Sequence, residues 1–98
     1  MKKIKKNNPS RKIISEFIEE YYPDEANKIL LADGFDGAFI GIGSAFSGKN
    51  VAIYDRAKCI KILEKDMSPD EAEEFFSYNT EGAYVGEYTP IFMNKVNS

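Results

Sequence analysis

At 98 residues the chain has the length of one domain with one modest core, and its 43% apolar content, with seven Phe and six Tyr, is that of a chain that folds. It contains no histidine and a single cysteine, Cys59, which excludes Ser-His and Cys-His nucleophile pairs, Cys/His zinc sites and any intramolecular disulfide. The net charge of −3 conceals an asymmetry. Lys2, Lys3, Lys5, Lys6, Arg11 and Lys12 make residues 1–12 purely basic, leaving seven basic against 16 acidic side chains in the rest, a net −9. An acidic body repels nucleic-acid backbones, so general nucleic-acid binding is not expected. No apolar run approaches the roughly 20 residues that span a bilayer, and none follows the basic start as a signal peptide requires, so the expected location is the cytoplasm.

Residues 1–9 read as a flexible basic lead-in, and 10–98 as a single α+β domain. Ile13, Ile14, Phe17, Ile18 and Tyr21 recur at helical spacing opposite Glu16, Glu19 and Glu20, which predicts an amphipathic helix from Ser10. Pro23 suits the first turn of a second helix, Asp24 to Leu31, stopped by Asp33-Gly34. The β-prone segments 37–43 and 51–54 form a hairpin around the small, polar loop Ser44 to Asn50. Asp55 caps a helix running to about Asp66, whose buried stripe contains Ala57, Ile60 and Leu63 with Cys59 or Ile62 beside them. Ser68-Pro69-Asp70-Glu71 is a capping box with Pro at the first helical position, and it starts a helix that buries Ala72, Phe75 and Phe76. Segments 82–86 and 90–93 read as two strands. The expected order is α-α-β-β-α-α-β-β, with two helix pairs on a small, mainly antiparallel sheet.

Gly43-Ser44-Ala45-Phe46-Ser47-Gly48-Lys49 has the spacing of a phosphate-binding P-loop. Asn50 stands where Ser or Thr would hold Mg²⁺, and the β-prone residues after it replace the required helix, so a hairpin loop is the expected structure. Its glycines, serines, Phe46 and Lys49 still suit a small anionic ligand. Asp33 to Gly37 lacks the alternating ligands of a Ca²⁺ loop and reads as a turn; no metal or cofactor is expected. The segment Tyr78 to Pro90 sets three tyrosines, an amide, two hydroxyls and two carboxylates among glycines, either as a recognition surface or as a sheet whose tyrosines pack inward.

Ala32-Asp33-Gly34-Phe35-Asp36, Ile53-Tyr54-Asp55, Pro69 to Phe76, Asn79, Gly82-Ala83-Tyr84-Val85-Gly86-Glu87 and Thr89-Pro90-Ile91-Phe92 together resemble a family of short uncharacterised phage and prophage proteins. The resemblance implies a small viral protein acting inside an infected bacterium. The leading expectation is a non-catalytic sponge for a nucleotide-derived defence signal. Its ligand site would comprise Ser44, Phe46, Lys49, Tyr54, Arg56, Asn79, Tyr84, Glu87 and Tyr88. In that site Lys49 and Arg56 meet phosphate, Tyr54, Tyr84 or Tyr88 stacks on a base, and Asn79 or Glu87 reads its edge. The alternative is an interaction protein that inhibits a host protein through an acidic surface. Edge strands and exposed tyrosines also allow a homo-oligomer.

Overall fold

A computed structural model describes residues 9–96; the basic lead-in falls almost wholly outside the described residues. The architecture is α+β, as expected. In chain order it comprises α1 (Arg11–Tyr21), a one-turn 3-10 helix (Asp36–Ala38), β1 (Phe39–Ser44), β2 (Asn50–Asp55), α2 (Arg56–Leu63), α3 (Pro69–Phe76), a π-helical turn (Ser77–Glu81) and β3 (Ile91–Met93). No described helix is long and apolar enough to cross a membrane.

Local chemistry sets the helix starts. Ser10, Asp55 and Ser68 each accept a hydrogen bond from the backbone N–H three residues on. At α3 the box is complete, because the Glu71 carboxylate accepts in return from the Ser68 N–H at 3.0 Å. Four orphan donors at helix starts are thereby satisfied, the N–H groups of Ile13, Lys58, Glu71 and Ser68. The stripes are narrower than the periodicity suggested. In α1 only Ile14 and Ile18 are buried, while Ile13, Phe17 and Tyr21 keep solvent-facing surface; in α2 Cys59 and Ile60 are buried and Ala57 is exposed.

The sheet has the order β1-β2-β3 and is mixed: β1 and β2 are antiparallel, whereas β3 runs parallel to β2 through Ile53–Ile91, Tyr54–Phe92 and Asp55–Met93. The hairpin forms as expected, with Ile40 bulged out of register. A side chain at Gly43 would place its Cβ 2.6 Å from Ile53 Cδ1, so glycine there lets Ile53 fold across the strand. One core joins Ile14 and Ile18, Phe35, Ala52 and Tyr54, Cys59 and Ile60, and Ala72 and Phe76. Its aromatic centre is edge-on: Phe76 meets Phe92 at 5.0 Å and Phe35 at 5.8 Å, both nearly perpendicular.

Two expected elements are replaced. Residues 23–28 form successive turns instead of an α-helix, with the Lys28 and Ile29 N–H groups both donating to the Glu25 carbonyl. Length is not the reason, since α2 and α3 are equally short; the Glu25 carboxylate is held by Asn50 and Tyr88 and Ile29 is buried, so contacts with other elements set this segment. Residues 82–86 make no strand, so the sheet has three strands and not four. The Ala83 N–H is taken by the Thr80 carbonyl, and Thr89 Oγ1 accepts from the Val85 N–H while donating to the Gly86 carbonyl. Gly86, at φ +112°, closes that turn where an L side chain would be strained. α2 also stops at Leu63, short of the expected Asp66, and passes into turns.

Candidate binding surface

The hairpin loop and the C-terminal segment meet, as the sequence suggested, but around a residue the sequence did not mark. The Asn50 side-chain amide donates to Glu25 Oε1 at 2.8 Å, and the Tyr88 hydroxyl donates to Glu25 Oε2 at 3.0 Å. Ser44 Oγ donates to Asn50 Oδ1 at 3.2 Å, and Lys49 Nζ lies 4.0 Å from Glu87. Ser44, Lys49, Glu87 and Tyr88 therefore gather at one node whose hub is Glu25. The Asn50 hydrogen bond holds the Glu25 carboxyl below its ordinary range, and burial together with donation to Glu25 raises the Tyr88 phenol. Nothing local in the sequence identifies Glu25, because its partners lie 25 and 63 residues away. Phe46 projects fully into solvent at the hairpin tip. The node is internally paired, with Lys49 facing an acid.

Tyr54 and Arg56 belong to the frame of the domain. Tyr54 is 0% exposed, between Phe39 and Phe92, and its hydroxyl accepts the Ala32 N–H at 2.8 Å. Burial pushes its phenol up to about 12, and no ring face is open for stacking on a base. The Arg56 guanidinium sits 5.4 Å above the Phe76 ring and bonds Glu81 at 2.9 and 3.0 Å and also Glu73. Glu81 first, and Glu73 second, raise its pKa further, and Arg56 in turn lowers that of Glu73. Two carboxylates already match this one cation. Arg56 thus pins the start of α2 to α3 and to the π-helical turn.

Beyond α3 lies a surface with unsatisfied character. Ala72 and Phe76 face the core, which turns Phe75 outward at 45% exposure, and the π-helical turn presents Tyr78 at 84%. Asn79 follows, its amide donating to the Phe75 carbonyl at 3.1 Å. Two hollows share Asn79. One is an open groove of about 720 Å³ lined by Asp66, Met67, Glu71, Glu74, Phe75 and Tyr78. The other is an apolar cleft of about 390 Å³ between Leu30, Leu31 and Ala32 on one side and Ala83, Val85, Pro90 and Phe92 on the other, with Thr80 and Thr89 at its polar edge. Tyr84, between two lining residues, is 76% exposed and Val85 is 57% exposed. Of the expected ligand-site residues, only Asn79 lines these hollows. Tyr78 and Val85 come from the segment expected as either a recognition surface or an inward-packing sheet, Phe75 was expected in the core and instead faces outward, and Leu30 was not foreseen.

Among the described residues no group of three or more His, Cys, Asp or Glu side chains is placed to hold a metal ion. Cys59 is buried, and burial with the nearby Asp55 pushes its thiol up to about 12, leaving almost no thiolate at neutral pH. No protein-family model matches the chain, and no curated protein or solved structure matches it either.

Proposed function

We propose that this chain is a non-catalytic binding protein that captures a partner protein through a segment combining an apolar anchor with basic flanks. One observation carries the reading: an apolar cleft and an acid-rimmed aromatic groove adjoin at Asn79, with no lysine or arginine among the residues lining either. An anchoring Leu, Ile or Phe entering the cleft gains about 25 cal/mol per Å² of apolar surface withdrawn from water. A flanking Lys or Arg then lies near Asp66, Glu71 and Glu74 and over the exposed Tyr78 ring, where charge and cation–π attraction add specificity. The arrangement has the form of an interaction hot spot, aromatic and apolar at its centre with charge at its rim.

On the phage-protein reading, such a partner would be a bacterial host protein met in the cytoplasm. The nucleotide-sponge reading draws less support from the same molecule, since Tyr54 has no free face and Arg56 and Lys49 face carboxylates.

Selection of displayed random peptides on the full chain tests the proposal. Enriched sequences are expected to place Lys or Arg beside Leu, Ile or Phe, and to lose binding to the Glu74→Lys and Val85→Asp proteins. Acidic or unpatterned enrichment, or equal binding by both variants, refutes it.

A further inference from the structure

On the far side of α2 the charge pattern reverses. A groove of about 420 Å³ is lined by Lys58, Lys61 and Lys65, with Ile62 as its apolar wall and Gly34, Asp36 and Gly37 opposite. Only seven basic side chains occur outside residues 1–12, and three of them line this one hollow. Arg56 and Lys49 are paired with acids, but none of these three lysines lies within 4.0 Å of a carboxylate among the described residues. The single acid of the groove, Asp36, is already held by Arg11, which donates to it at 3.0 to 3.2 Å. The groove therefore carries uncompensated positive charge on an otherwise acidic body.

Helix chemistry accounts for only part of this. Lys61 in the last turn of α2 offsets the negative end of the helix dipole. Lys58 is the third residue of α2, where a cation meets the positive end and is disfavoured, and Lys65 lies beyond the helix in the following turn. Lys58 and Lys61 stand about 4.5 Å apart along the α2 axis at 1.5 Å per residue, inside the Debye length of about 8 Å at physiological salt, and Lys65 lines the same hollow from the following turn, so the three act on an anion together.

We propose that this groove binds a compact oligophosphate, meaning two or more contiguous phosphates either free or carried by a nucleotide. Three point-charge donors, beside one carboxylate that Arg11 already holds, suit phosphate oxygens. The volume lies in the range of small-molecule sites, and the acidic surface elsewhere repels a long polyanion while leaving this hollow open to a short one. The site shares no lining residue with the Asn79 surface, so either proposal can fail without the other.

The test is titration of the full chain with sodium tripolyphosphate, with ATP and with adenosine, followed by amide NMR and calorimetry. Tripolyphosphate and ATP are expected to saturate with shifts centred on Gly34, Gly37, Lys61 and Lys65, and adenosine to cause none. Comparable affinities assign recognition to the phosphates alone; tighter ATP binding assigns the nucleotide as the carrier. Lys61→Glu combined with Lys65→Glu, both exposed positions, is expected to weaken binding at least about tenfold, with Lys28→Glu within about twofold of the parent. Absence of saturable phosphate binding overturns the proposal. So does retained affinity in the double variant, or an equal loss in Lys28→Glu, which would indicate general charge attraction.

Discussion

The corner around Arg56 and the surface around Asn79 are built from the same short stretch, α3 and the turn after it, yet they are opposites. At the corner every group is matched: Arg56 has Glu73, Glu81 and the Phe76 ring, and Phe76 has Phe35 and Phe92. At the surface, Phe75 and Tyr78 face water and Glu74 has no ion pair among the described residues. Groups satisfied inside the chain hold the fold. Groups left unsatisfied at modest cost are the ones a partner can use, and the contrast separates residues whose loss unfolds the protein from residues whose loss only weakens binding.

The sharpest way to break this contrast is a pair of neighbouring truncations. Phe76→Ala is expected to destabilise by about 3 to 5 kcal/mol, seen as a lower urea midpoint, whereas Phe75→Ala shifts that midpoint little and weakens peptide capture. Equal destabilisation by the two would erase the distinction. Next in size, Tyr78→Ala with Glu74→Lys should weaken capture of a basic, apolar-anchored peptide by about tenfold or more, close to 1.4 kcal/mol, with thermal unfolding unchanged. Reversal of Glu73 is a poor probe of the same face, because it breaks the Arg56 pair and confounds binding with stability. Ser68→Ala removes the capping box from α3, and the expected loss is about 1 kcal/mol. That loss should lower stability, and it should lower peptide affinity only at temperatures where the protein begins to unfold.

The smallest effect is the one on pH dependence. Arg56 depresses the Glu73 carboxyl and Asn50 depresses that of Glu25, so both groups bind protons more weakly in the folded chain than in the unfolded one. Their contribution is complete above the ordinary value of 4.5 and is lost as pH falls through the lower folded values. Glu73→Gln and Glu25→Gln should each flatten the acid limb of stability below about pH 4.5, followed by urea unfolding across pH.

The parts of this fold that were legible in the sequence are the parts that local chemistry decides. Ser68, Pro69 and Glu71 announced a helix start that the structure reproduces bond for bond, and Asp55 did the same for α2. The hairpin around Gly48 and the rejection of the P-loop also held, because strand propensity after Lys49 is a local property. Misreadings came where distant residues overrode local preference. Residues 24–31 have a helical pattern, but Glu25 is taken by Asn50 and Tyr88. The alternation in 82–86 suggested a strand, but Thr89 folds the chain back on itself.

Composition and local pattern determined that this is an acidic α+β domain with an uneven charge distribution and a polar, tyrosine-rich segment near its end. Tertiary structure alone decided which aromatic rings are core and which are surface, because β-branched and aromatic patterning is the same for both until the elements pack. It sent Tyr54 inward and Tyr78 outward. It also sorted the cations, matching Arg56 to two acids while gathering Lys58, Lys61 and Lys65 around one open groove, since whether a charge is neutralised depends on distance in space and not on spacing along the chain.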